Sequence, residues 1–160
     1  MAARVPKTTK DLISAGWRKV EDDGFIGHIG PLWMLVDQNE ASFGFFARKI
    51  HKNRAGVVQG GMLATIADRA MGMTARLLEP TRQQMTIQLD LQYFEVARLG
   101  TFVSATGKLW KQTSTLAFLS ARLESDGRLV ATASGLWRIR PGTSLGRKRS
   151  TRKRSLGPSE

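Results

Sequence analysis

Residues 51–72 read HKNRAGVVQGGMLATIADRAMG, and this one stretch holds a histidine, an asparagine, a glycine pair and a lone carboxylate. Gly60 and Gly61 open an apolar run, with no Ser, Thr, Asp or Asn at its start to cap the first amides of a helix. Those N–H donors are then free to hold an ester or thioester carbonyl oxygen as charge develops on it. The helix dipole helps, and glycine lets the oxygen come close. A tight turn needing positive φ accounts for the same glycines equally well.

Asp68 is the sharper feature. Its neighbours at helical spacing are Ala64, Thr65, Met71 and Gly72, a setting in which an ionised carboxylate is costly to bury. It reads as a base or nucleophile in a cleft, or as a partly exposed residue paired with Arg69 or Arg76. Gly60 and Asp68 are separated by about 12 Å of helical rise and roughly 80° of rotation. One carbonyl therefore cannot touch both within a single chain. If the two act on one substrate they come from different chains, and a C2 homodimer would carry two composite sites.

The remaining candidates are less specific. His51, leading into a loop, reads either as a ligand-facing residue or as a hydrogen-bonded structural one, and His28, beside Gly27 and Gly30, reads as structural. Met62, Met71, Met73 and Phe94 are candidates to line a substrate pocket, although Met at helical spacing also serves as plain core.

Several other chemistries are excluded. The chain has no cysteine, which removes disulfides, thiolate nucleophiles and cysteine-bound zinc. It contains no G-x-S-x-G, G-x-x-x-x-G-K-[ST] or G-x-G-x-x-G pattern, only two histidines and no acidic cluster. No metal site and no cofactor are expected.

The elements that must position these residues follow from periodicity. Leu12, Ile13, Trp17 and Val20 predict a short N-terminal helix within residues 7–20. The segments PLWMLVDQ and ASFGFFARK predict a hairpin turning at Asn39 and Glu40. From Gly61 to Leu78 apolar residues occupy nearly every face, which predicts a core helix of about 18 residues, closed by Glu79-Pro80. In TIQLDLQYF, Ile87, Leu89, Leu91 and Tyr93 alternate with polar residues, as in a strand with one buried face. Three more strands follow, TFVSATGKLWKQ, STLAFLSARLE and RLVATASGLWRIR, the last two joined at Asp126-Gly127, a strong hairpin signal. The class is α+β: an antiparallel sheet of about six strands wrapped around one long central helix. Such a sheet covers one side of the helix, so self-association is expected.

A chain of 160 residues with 41% hydrophobic content supports one domain. We place it at residues 1–141, followed by a basic tail at 142–160 that is expected to be disordered. The formal charge is +12; Arg147, Lys148, Arg149, Arg152, Lys153 and Arg154 against Glu160 leave +7 to the body. No aromatic residue interleaves with the tail charges, so nucleic acid is not an expected partner. The early charges leave no signal-peptide core, and no apolar run approaches the roughly 18 residues of a membrane span. No membrane partner and a cytoplasmic location are expected.

The pattern His51-x-Asn53-x-x-Gly56-x-x-Gln59-Gly60-Gly61, with Asp68 in the helix that follows, resembles that of hotdog-fold acyl-CoA thioesterases of the phenylacetate-pathway (PaaI-like) type, within the 4HBT superfamily. The likeness runs from about Phe25 to Pro141. It implies an acyl-CoA substrate, a homodimer or a homotetramer built as a dimer of dimers, and no cofactor. It implies that the Gly60 N–H polarises the thioester carbonyl, with Gly61 beside it, and that Asp68 is the base or nucleophile supplied across the dimer interface. Asn53 corresponds to a residue that helps hold the attacking water, and Thr86 to a strand hydroxyl that assists the acid. Gln59 departs from the histidine of many members: a side-chain donor is retained and a titrating imidazole is lost. That departure keeps a non-catalytic acyl-CoA-binding or scaffold module as the alternative. A hydratase of the same fold is disfavoured, since no Asp and His pair stands near a helix start.

Overall fold

The central helix, α3 (Gly60–Leu78), is built from Ala, Leu, Met and Arg, good helix formers, and begins one residue earlier than expected. It stops at Glu79, whose φ of −137° and ψ of 69° lie outside the helical region, as the following Pro80 requires. Ile66, Ala67, Ala70 and Met71 are fully buried. One ridge stays open along its length: Asp68 and Gly72 are half-buried, and Arg76 is exposed.

The computed structural model describes residues 5–140. Helix α1 (Thr9–Ser14), strand β1 (Arg18–Lys19), helix α2 (Phe25–Ile29), strands β2 (Trp33–Asp37) and β3 (Glu40–Phe46) and a 3-10 turn (Lys49–His51) precede α3. Strands β4 (Gln83–Tyr93), β5 (Phe102–Gln112), β6 (Leu116–Ser125) and β7 (Arg128–Arg140) follow it. The tail at 142–160 lies outside the described residues.

All strand pairs are antiparallel, in the order β1-β2-β3-β5-β6-β7-β4. Seven strands replace the expected six or so, the addition being the two-residue β1 at one edge. Helix α3 packs against β3, β4, β5, β6 and β7, the sheet-around-helix arrangement that the order of elements in the sequence predicts. Contact is closest at β5, where a Cβ on Gly107 would stand 2.6 Å from the Ala70 carbonyl oxygen. The buried Thr74 hydroxyl accepts from the Ala41 N–H (3.0 Å) and donates to the Gly107 carbonyl (3.2 Å), so one helix side chain ties β3 and β5 to α3.

Local chemistry sets the turns. Asp126 (φ 49°) and Gly127 (φ 77°) are both left-handed, as a two-residue hairpin loop of the primed type needs. The β2–β3 turn is Gln38-Asn39, with Gln38 left-handed (φ 50°), and Glu40 already belongs to β3. The N-terminal helix is shorter than its apolar stripe suggested. Thr8 and Asp11 form a capping box at its start, and Gly16 (φ 86°) ends it by sending the chain into β1.

Strand β4 departs most from expectation. It starts at Gln83, and a bulge between Thr86 and Gln88 leaves Ile87 without a partner in β7. The bulge shifts the side-chain alternation by one. Leu89 and Leu91 pack against the core, as their spacing suggested, but before the bulge Gln84 and Thr86 are the residues that reach α3. Ile87, expected on the buried face, is 53% exposed. Strand β4 pairs only with β7 among the described residues, so its other edge is open. Met85, Ile87 and Phe94 are about half exposed along and just beyond it.

No helix among the described residues is long and apolar enough to cross a membrane. No group of three His, Cys, Asp or Glu side chains that could hold a metal occurs among them either.

Candidate active site

The loop before α3 is fixed from both ends. The Val58 N–H donates to the Ala97 carbonyl (2.9 Å), and the Gln59 N–H to the His51 carbonyl (2.8 Å). Asn53 organises the bend between them. Its backbone N–H bonds the Val57 carbonyl (2.8 Å), its carbonyl accepts from Gly56 (3.1 Å), and its Oδ1 accepts from the Val57 N–H (3.3 Å). The Asn53 carboxamide nitrogen has no acceptor among the described residues. It borders an open cavity of about 760 Å³ lined by Lys52, Asn53, Arg54, Ala55 and Gln59.

Met62 and His51, each read as either substrate-facing or structural, are both buried. Met62 packs within the core cluster. His51 is 3% exposed and makes an edge-on contact with Phe45, ring centres 4.7 Å apart. Its Nδ1 accepts the Arg48 N–H (3.0 Å), so the proton sits on Nε2, which donates to the Ile29 carbonyl (2.8 Å). Both ring nitrogens are thus committed to backbone. Burial lowers the pKa of His51, and the Arg48 charge adds to the effect, against the raising effect of the Ile29 bond. Below the ordinary value of 6.5 the unfolded chain takes up a proton that the folded chain refuses. Stability is therefore full above that pH and is lost as pH falls toward the lowered folded value. The urea midpoint is expected to be lower near pH 5.5 than near pH 7.5, and His51→Gln should shrink that difference.

Gln59 caps α3 with φ −62° and ψ 133°, and its side chain makes no capping bond. Its carbonyl accepts from the Met62 and Leu63 N–H groups (2.9 and 3.4 Å), whereas those of Gly60 and Gly61 have no acceptor among the described residues. No acidic residue occupies the first turn. Neither glycine has a positive φ, which removes the tight-turn explanation for the pair. A Cβ on Gly60 would meet the Tyr93 ring at 3.4 Å and one on Gly61 the Gln59 Cγ at 3.9 Å, both ordinary contacts. Nothing among the described residues requires glycine here. What the pair achieves is an uncovered approach to two bare amides at the positive end of a helix dipole.

Two turns further along, Asp68 Oδ1 accepts a hydrogen bond from the Thr86 hydroxyl (2.8 Å). No ion pair joins Asp68 to Arg69 or Arg76 among the described residues, so the carboxylate is held by a neutral donor from β4. It opens into a cleft of about 600 Å³ whose lining includes Gly72, Arg76, Thr86 and Trp137. Strand β4 runs back along α3 and holds both features, because Tyr93, the only tyrosine of the chain, donates its hydroxyl to the Gly60 carbonyl (3.1 Å). Sequence reasoning did not assign Tyr93 to the site. The signal available was a polar-tipped aromatic closing an otherwise aliphatic alternation. Gly60, Gly61, Asn53 and Gln59 thus gather at the start of α3, and Asp68 and Thr86 stand apart from them at its middle.

Residues 55–132 match the model of the thioesterase superfamily. The chain belongs to that superfamily, has its hotdog fold, and is by class a thioester hydrolase. A candidate esterase of Pseudomonas aeruginosa, PA0474, is 39% identical over 113 residues, covering 69% of this chain and 84% of that protein. Mouse acyl-coenzyme A thioesterase 13 is 30% identical over 83 residues, 51% of this chain and 59% of that protein, so the match spans little more than half of that relative. The solved structure of the Escherichia coli PaaI protein from the phenylacetic acid degradation operon superposes with a TM-score of 0.69 at 16% identity, over 76% of this chain and 88% of that one, which is a likeness of fold.

Proposed function

We propose that the chain hydrolyses a small or medium acyl-CoA thioester to the free acid and CoA, at sites composed from two copies of itself. The observation that carries this reading is the glycine pair: two bare amides whose glycines neither backbone conformation nor packing within the chain explains. In the proposed reaction the Gly60 N–H of one chain holds the carbonyl oxygen as it becomes an oxyanion. Asp68 of the other chain activates the attacking water or attacks directly. The Thr86 hydroxyl fixes the Asp68 carboxylate, and Asn53, whose carboxamide nitrogen has no acceptor among the described residues, holds the water. Gln59 offers a donor that does not titrate, and Gly61 keeps the approach open. His51 and Met62 act from beneath as supports of the loop and the helix start.

The separation of about 12 Å between Gly60 and Asp68 demands the second chain. The open edge of β4, with Met85, Ile87 and Phe94 half exposed along it, supplies an apolar strand for a second copy to cover. Two such dimers could join into a tetramer.

The test is thiol release from a panel of acyl-CoA esters of graded chain length. Saturable release with a preference among acyl groups supports the proposal. Saturable binding with no release favours the non-catalytic module that Gln59 keeps in play.

A further inference from the structure

The cleft at Asp68 is bordered by cationic donors that have no partner among the described residues. Three arginines, Arg69, Arg76 and Arg82, border it against the single carboxylate of Asp68. Arg82 is engaged, donating to the Ser114 carbonyl (2.7 Å) and lying 3.8 Å from the Glu79 carboxylate. Arg76 has neither a hydrogen bond nor an ion pair among the described residues. The buried Nε of Arg69 has no hydrogen-bond partner among the described residues, and its guanidinium carbon sits 5.3 Å from the Phe43 ring centre. The Trp137 indole N–H, which a Cβ on Gly72 would approach to 3.3 Å, has no acceptor among the described residues either. Of the acceptors nearby, Asp68 Oδ1 takes the Thr86 hydroxyl and the Ala75 and Glu79 carbonyls take the Gln84 carboxamide, while Asp68 Oδ2 stays open on the cleft for the reaction proposed above.

Position along the helix gives this excess a direction. Asp68, Gly72 and Arg76 follow one another at intervals of four, so Arg76 lies about 12 Å of helical rise beyond Asp68, with a side-chain-free gap between them. A substrate whose reacting carbonyl sits at Asp68 can lie over Gly72 and bring another group to Arg76. An unpaired guanidinium is suited to carboxylate or phosphate oxygens, and a charge-assisted bond there is stronger than a neutral one.

We propose that this cleft is an anion-binding subsite in which Arg76, with Arg69 and Arg82 adding positive potential, receives an anionic oxygen group of the thioester substrate. The inference rests on the thioesterase reading above and deepens it. The oxygens come either from a carboxylate at the far end of the acyl chain or from a phosphate of the CoA moiety.

The experiment compares the full-length protein with Arg76→Met on four substrates: octanoyl-CoA, its ω-carboxylated counterpart suberoyl-CoA, and the N-acetylcysteamine thioesters of the same two acids. Arg76 is exposed, so the variant is expected to fold, which thermal unfolding checks. The expected result is a loss in kcat/KM of about tenfold or more on the anionic substrate. A loss at least tenfold larger on both suberoyl esters than on both octanoyl esters assigns the oxygens to the acyl carboxylate. A similar loss on both CoA esters, with the N-acetylcysteamine thioesters far less affected, assigns them to the CoA phosphates. Changes within threefold on all four substrates overturn the proposal. Dissociation of the assembly by Arg76→Met also overturns it, because the guanidinium is then a contact between chains. If the parent protein releases thiol from none of the four, the thioesterase reading fails separately. Calorimetric titration with CoA and with suberate then decides: salt-sensitive binding that Arg76→Met abolishes sustains the subsite, and no binding of either removes it.

Discussion

Replacing Gly60 with proline is expected to lower kcat by about 10²- to 10³-fold while leaving the fold in place, the loss typical of removing one oxyanion donor. Proline deletes the amide hydrogen at the first helical position, where it is well tolerated because that N–H has no intrahelical partner. The residue before a proline must be extended, and Gln59 already is, with φ −62° and ψ 133°. The added ring faces Tyr93 at a distance where a Cβ fits without displacement. Steady-state thiol release, with far-ultraviolet dichroism and a thermal melt as controls for folding, measures the effect. A folded variant with near-parental kcat would mean that the Gly60 amide does not touch the reacting carbonyl.

Asp68→Asn is expected to cost more, about 10²- to 10⁴-fold in turnover, the range for removing a general base. The shape is conserved and the side-chain oxygen can still accept from the Thr86 hydroxyl, so stability should change little. What disappears is the ability to take a proton from water or to attack. Turnover within threefold of the parent on the best substrate of the panel would remove Asp68 from the mechanism. If Gly60 and Asp68 act on one bond as proposed, their losses should not simply add when both are changed.

Much of the scaffold was legible in the sequence because local rules and tertiary demands agree there. The run from Gly61 to Leu78 is apolar on most faces and bounded by Glu79-Pro80, and it forms the helix that the sheet surrounds. Asp126-Gly127 forms the turn that its residue types dictate. The elements that escaped are those with no period to detect. Strand β1 has two residues, and α2 is a single glycine-flanked turn of FIGHI. The bulge in β4 escaped for another reason: Ile87, Leu89, Leu91 and Tyr93 alternate without interruption, and the shift of face at Ile87 follows from how β4 meets β7 and α3 rather than from its own residues. That shift turns Thr86 toward Asp68, so the bond that holds the carboxylate depends on a feature invisible in the alternation.

The same distinction holds for the candidate site. Gly60 and Asp68 stood out by chemistry, one as a bare helix start and the other as a carboxylate in an apolar run. Tyr93 did not, because its role is a single bond to a backbone carbonyl brought near by the fold. For His51 the hydrogen-bonded structural reading was available from its place before a loop, but its partners, Arg48 and Ile29, were not, since they come from a turn beside it and from a distant helix end.

The composite site is tested most directly by a heterodimer of Gly60→Pro and Asp68→Asn chains, co-expressed with different tags and purified through both. If each site takes its amide from one chain and its carboxylate from the other, the heterodimer holds one site with both groups intact and one with neither. About half the parental activity per dimer is then expected from two chains that are each nearly inactive alone. If each site lies within a single chain, every site in the heterodimer carries one defect, and activity no higher than that of the separate variants would contradict the account.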